Sequence, residues 1–191
     1  MSYEEFINNT YPNDIFDIIK CREDGSCCYN SFLISLKKTN PQKIKKNLNS
    51  KVIQSKAVKW IIENKDKKID LFCLTMKEIV LNNHQIENFD DYIERYKTYS
   101  GKDNLDVDRW GGIPELIALS NIYNIDINVY GVQSYDKKKS KIIKGRITNN
   151  KLNKSTRFKL LYSTRQEYDY CINILWTSKN NIDHFDSLIK V

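Results

Sequence analysis

The sequence predicts a mixed α+β fold, and three observations carry that prediction. In the first two thirds of the chain, apolar residues recur at helical spacing. In the last third they alternate with polar residues, as in half-buried strands. Between the two, a helical pattern passes through a short connection into a strand pattern, as in a layered fold of helices and sheet.

The elements follow in order. Pro12 breaks the N-terminal stretch, and Ile15, Phe16, Ile18 and Ile19 are the residues that dock it on the domain. Tyr29, Phe32, Leu33 and Leu36 stand at i, i+3, i+4 and i+7, one face of a helix that ends before Pro41. A second helical pattern runs from Lys51 to Asn64 on Val52, Val58, Ile61 and Ile62, and a third from Leu71 to Leu81. The dense lysines from Lys43 to Lys51 read as a solvated helix face. Phe89, Tyr92, Ile93 and Tyr96 repeat the helical spacing and lead into a polar loop from Ser100 to Asp108.

After Gly111 and Gly112, Pro114 suits the first turn of a helix, where its missing amide hydrogen has no partner to lose. Leu116, Leu119 and Tyr123 line that helix and Asn124 ends it. Strands are expected at Ile125 to Tyr130, Phe158 to Tyr162 and Ile172 to Trp176. The lysines from Lys137 to Lys144 mark a hairpin or loop, Asn180 and Asn181 a turn, and Asp183 to Leu188 a final extended run. With 191 residues, 40% of them hydrophobic, the chain suits one domain with one core and has no internal repeat.

Composition excludes several function classes. No stretch approaches the ~20 apolar residues of a membrane span, and the N-terminus does not read as a secretory signal. The 31 Lys and Arg against 24 Asp and Glu leave a net +7. Those lysines are scattered and lack a basic helix or aromatic ladder, so a solvated surface is favoured over nucleic-acid binding. Five cysteines, odd in number and without paired ligand spacing, fit free thiols in a reducing, cytoplasmic compartment and make a structural zinc site improbable.

The chemistry centres on Asp24-Gly25-Ser26-Cys27-Cys28-Tyr29. A thiol at a helix N-terminus or beside a cationic histidine can have its pKa lowered from ~8.5 into the ~3.5 to 7.5 range. Cys28 shares a helical stripe with Phe32 and Leu36 and should face the core, whereas Cys27 is the better candidate for exposure. Both cysteines equally suit the commoner fate of a free thiol, a small buried hydrophobe. The Asp24-Gly25 turn, with the Cys27 amide, can aim backbone donors at an oxyanion, and Asp24 also suits a helix cap.

Of the two histidines, His84 sits among Asn82, Asn83 and Gln85 and reads as a surface residue. His184 lies in an extended segment, where Asp186 at i+2 shares its face and can orient the imidazole. A plain surface pair has the same spacing.

The nucleophile segment, the run Trp110-Gly111-Gly112-Ile113-Pro114-Glu115-Leu116 with Tyr123 and the following strand, and His184-Phe185-Asp186-Ser187-Leu188 together resemble, in order, the motifs of the ovarian tumour (OTU) family of cysteine proteases. The resemblance covers about Cys21 to Leu188. Ser26, Cys28 and Phe185 depart from the commoner Asn, Leu and Tyr. It implies a papain-like OTU fold, with a small mostly antiparallel sheet packed between helices. It further implies Cys27 as nucleophile, His184 as base and then acid, and Asp186 as the orienting residue. Asp24, Gly25 and Cys27 would form the oxyanion hole, and Trp110, Gly111, Gly112 and Phe185 would bind substrate. The implied activity is cleavage of ubiquitin, or of a ubiquitin-like modifier, from lysine side chains, without metal or organic cofactor. The partner would be ubiquitin or polyubiquitin. A ubiquitin-binding module without activity is the alternative, and the biased composition suggests a virus or intracellular parasite acting in host cytosol.

Overall fold

The computed structural model describes residues 16–21, 25–44, 47–70, 72–97, 111–134, 157–164, 167–179 and 182–190. Among these residues the first element, β1 (Phe16–Ile19), is a strand, so Phe16, Ile18 and Ile19 dock by joining the sheet, while Pro12 and Ile15 lie outside the described residues. Helix α1 (Cys27–Thr39) begins at the first of the paired cysteines and stops before Pro41, as its spacing predicts. Tyr29, Phe32 and Leu36 on it are fully buried. Each such large apolar side chain contributes about 1.5–3 kcal/mol through loss of water contact.

A 3-10 turn (Pro41–Lys43) follows. Lys43 is not part of a solvated helix face. Its ammonium donates to the carbonyls of Tyr123 and Asn124, capping another helix C-terminus, and lies over the Tyr170 ring. Helix α2 (Ser50–Glu63) starts behind Asn49, whose side chain accepts from the Val52 amide. Its buried stripe is Ile53, Ala57, Val58 and Ile61, while Val52 is 37% exposed, so the helix is rotated from the expected face.

The helix expected from Leu71 to Leu81 is shorter than its pattern. A small hairpin, β2 (Lys68–Ile69) and β3 (Leu74–Thr75), occupies its first half, with Cys73 at φ 53° in the turn. Helix α3 (Met76–His84) starts behind Thr75, which exchanges a full capping box with Glu78. That local signal overrides the longer apolar period. Helix α4 (Phe89–Lys97) and helix α5 (Ile113–Tyr123) stand where their spacing places them, the latter with Pro114 in its first turn and Asn124 left-handed at its end.

The remaining strands are β4 (Asp126–Ser134), β5 (Arg157–Ser163), β6 (Cys171–Lys179) and β7 (Ile182–Lys190). They form one sheet with β1, in the order β1-β7-β6-β4-β5, with β4 and β6 parallel and every other pairing antiparallel. Helix α1 packs across β7 and β6 on one side and against α2 on the other, while α2 packs on α5. Ser35 of α1 and Ser187 of β7 share a buried hydroxyl–hydroxyl bond of 2.6 Å, which pins the helix to the strand that carries His184. The loops at Ser100 to Asp108, Lys137 to Lys144 and Asn180-Asn181 fall in or across residues outside those described. No described helix is long and apolar enough to cross a membrane.

Candidate active site

The thiol pair sits where a turn becomes a helix. Gly25 adopts φ 74°, a left-handed geometry that glycine accepts at no steric cost, and Ser26 occupies the N-cap without a side-chain cap bond. The Ser26 hydroxyl accepts instead from the Asn30 side chain at 2.7 Å. Cys27 is thus the first helical residue, beside the positive end of the helix dipole. Cys28 faces the core as expected and is fully buried, while Cys27, the better candidate for exposure, is itself only 3% exposed. What separates the two is direction. Cys27 meets the imidazole of His184 through a hydrogen bond, whereas burial, then Cys27, Glu115 and Cys21, hold the Cys28 thiol well above its ordinary pKa.

Strand β7 supplies the other groups. Its alternation puts His184 and Asp186 on one face, and His184 Nε2 donates to Asp186 Oδ1 at 3.0 Å. The ring's other nitrogen is the one left to the sulfur. The hydrogen bond to Asp186, then that to Cys27, pushes His184 up to about 10, so the ring carries a proton at neutral pH. Asp186 is completely buried. Burial raises its carboxyl, but hydrogen bonds from His184, the Lys20 ammonium and the Cys21 amide outweigh that and leave it below the usual range.

The structure therefore brings Cys27, His184 and Asp186 together as expected, and chemically the arrangement is a thiol, an acid–base group and an orienting anion. Other candidates fare differently. Phe185 is 5% exposed and belongs to the apolar core, so it packs the sheet and offers no substrate surface. Asp24 and Trp110 lie outside the described residues. Gly111 is buried against α1: a Cβ there would stand 2.9 Å from the Tyr29 ring and 3.1 Å from Cys28 Cβ, so only glycine lets this loop approach the thiol helix so closely. None of the five cysteines is in a disulfide. Among the described residues no group of three or more His, Cys, Asp and Glu side chains could hold a metal ion.

His84 is not a surface residue. Its side chain is 8% exposed, and Nε2 donates to Glu115 Oε1 at 3.1 Å. The same oxygen accepts from the Tyr92 hydroxyl at 2.7 Å, while Oε2 accepts from the Gly112 amide at 2.6 Å. Burial pulls the Glu115 carboxyl up, yet His84, the Gly112 amide and Tyr92 outweigh it and leave it below the carboxylate range. The sequence reading missed this cluster, although Glu115 stands three residues after the helix cap, the capping-box position that signals a bond back to the Gly112 amide. Nothing local marks His84 as its partner.

Replacing Glu115 by Ala removes the shared acceptor of a buried histidine, hydroxyl and amide, and is expected to cost about 3 kcal/mol, read from the urea midpoint. Glu115→Gln, which keeps an acceptor, should cost clearly less. Because the folded carboxyl titrates below its unfolded value of about 4.3, its contribution is complete above that pH and fades on further acidification, so wild type and Glu115→Gln should converge in acid. A Glu115→Ala loss below about 1 kcal/mol would mean the cluster does not hold the loop.

A helix-borne thiol paired with a strand-borne imidazole, on helices packed over a mostly antiparallel sheet, defines a cysteine protease. The family model described as OTU-like cysteine protease matches residues 22–170, and the chain belongs to that family. The match spans Cys27 and the Gly111-Gly112 segment but stops before His184 and Asp186, so their place beside the thiol rests on the geometry.

A solved structure agrees on the papain-like OTU fold. The viral OTU domain protease from Qalyub virus aligns with a TM-score of 0.50 at 15% identity, over 93% of this chain and 85% of that one. An OTU deubiquitinase from Wolbachia pipientis wMel, solved bound to ubiquitin, aligns at 0.48 with 18% identity, over 92% and 96%. The Hazara virus OTU, also bound to ubiquitin, aligns at 0.48 with 13% identity, over 93% and 82%. No curated protein matches the sequence.

Proposed function

We propose that this protein is a deubiquitinase, a thiol-dependent isopeptidase that cuts after the C-terminal glycine of ubiquitin. The observation that carries the reading is the hydrogen-bonded chain from Cys27 through His184 to buried Asp186. Family membership and the ubiquitin-bound OTU structures support the choice of substrate.

The His184 ring holds its proton at neutral pH. The sulfur attacks the carbonyl carbon of the terminal glycine, and the charge that develops on oxygen is met by backbone amides at Gly25 and Cys27. As the tetrahedral adduct collapses, the imidazolium of His184 protonates the departing lysine amine, leaving a thioester on Cys27. Neutral His184 then takes a proton from water as it attacks the thioester, and ubiquitin leaves with a free carboxylate while the proton remains on the ring.

Folded protein is expected to form a covalent adduct with a ubiquitin probe carrying a C-terminal electrophile, and to cleave at least one member of a panel of linkage-defined diubiquitins. A parallel probe built on a ubiquitin-like modifier tests whether a shared glycine tail suffices. Ubiquitin binding without adduct or cleavage would replace the reading with that of a binding module.

A further inference from the structure

The N-terminal strand takes part in the site. Strand β1 pairs with β7 so that Ile19 lies opposite Ser187, and the next two residues, Lys20 and Cys21, run past Asp186. The Cys21 amide donates to Asp186 Oδ1 at 2.9 Å, the oxygen that also accepts from His184. The Lys20 ammonium donates to Oδ2 at 2.5 Å. Asp186 is fully buried while Lys20 is 49% exposed, so the ammonium reaches in from the solvent side to the oxygen that the imidazole does not use. A buried carboxylate needs donors on both oxygens, or it turns to find them.

We propose that Lys20 is a positioning residue of the thiol site, holding Asp186 Oδ2 so that Oδ1 stays aligned on the His184 ring. This rests on the reading of Cys27, His184 and Asp186 given above. Lys20 lies more than 160 residues from Asp186 in sequence and just ahead of the family match, which begins at residue 22.

Lys20 also sets how tightly the ring holds its proton. Its positive charge offsets part of the Asp186 charge that retains the imidazolium, and that proton must pass to the leaving amine. Among the described residues, the groups facing this relay are few. Asp186 meets His184, Lys20 and the Cys21 amide, and His184 meets Asp186 and Cys27. The Cys28 thiol interacts with Cys27, Glu115 and Cys21. Leu175 and Thr177, opposite Asp186 and His184 on β6, carry no charge.

The test measures kcat and KM on a fluorogenic C-terminal amide of ubiquitin across pH, for wild type, Lys20→Met, Lys20→Arg, Asp186→Asn and the double variant Lys20→Met/Asp186→Asn, each normalised to sites titrated by the ubiquitin probe. Lys20→Met should lower kcat roughly tenfold, the loss of one charge-assisted hydrogen bond, with KM nearly unchanged. With less offset to Asp186, its alkaline limb should move to higher pH. Lys20→Arg should recover most of kcat and return the limb towards wild type. In the Asp186→Asn background, Lys20→Met should have little further effect, since the anion it holds is gone. Wild-type kcat and pH profile in Lys20→Met, or equal losses in both backgrounds, overturn the proposal. A wild type no more active than Cys27→Ala overturns the reading of the site as well, and separates that failure from failure at Lys20 alone.

Discussion

Cys27→Ala is expected to abolish adduct formation with the ubiquitin probe and to lower isopeptide cleavage by about 10⁴-fold or more, the scale on which loss of a nucleophile is felt. Cys28→Ala should leave both intact. The adjacent thiols differ in surroundings, not in exposure: 3% against none. Cys27 stands at the first position of α1 and is hydrogen-bonded to a protonated imidazole, so negative charge on its sulfur meets both the helix end and His184. Cys28 lies in the core with its thiol held protonated by burial. Its replacement by Ala trims a small buried side chain and should cost about 1 kcal/mol of stability. Intact-mass measurement of the adduct in the two variants decides the matter. Labelling that survives Cys27→Ala and disappears with Cys28→Ala would reverse the assignment.

The elements legible in the sequence are those whose signals are local. Tyr29, Phe32 and Leu36 announce α1 because one face of that helix meets the core along its whole length, and the strands at β4, β6 and β7 announce themselves by alternation. Where a stronger local device intervenes, periodicity misleads: the Thr75–Glu78 capping box starts α3 in the middle of the run from Leu71. The rotation of α2, which exposes Val52 and buries Ile53, follows from where α1 and α5 lie against it. No sequence window contains that information.

The site divides in the same way. His184 and Asp186 are two residues apart on one strand, so alternation alone puts them on one face. Their meeting with Cys27 needs α1 laid across β7, and the motifs suggested it only through resemblance. Lys20 and His84 were illegible because each gains its role from a carboxylate distant in sequence, Asp186 and Glu115. His84 among asparagines has the neighbours of a surface residue, and only the packing of α3 and α4 near α5 turns it inward.

His184→Ala should lower kcat/KM by about 10³-fold or more, because it removes both the proton donor for the leaving amine and the charge that faces the sulfur. Asp186→Asn should cost only on the order of tenfold, and the way donors divide over the carboxylate gives the reason. His184 and Cys21 both donate to Oδ1, and Lys20 alone donates to Oδ2. An asparagine can present its carbonyl oxygen where Oδ1 stands and keep the two bonds that orient the ring. Its amide group then faces the Lys20 ammonium, donor against donor, but Lys20 is half exposed and can turn into water. The carboxylate's charge is lost while its geometry is largely kept. With that charge gone the ring gives up its proton more readily, so the alkaline limb of kcat/KM should move down from the region of about 10, where the Asp186 hydrogen bond first and Cys27 second now hold it. Lys20→Met moves the same limb upwards, which makes the two shifts opposite in sign and separable from any loss of folded protein. Equal losses in His184→Ala and Asp186→Asn, after normalisation to circular dichroism and thermal midpoint, would show that Asp186 does more than orient the imidazole.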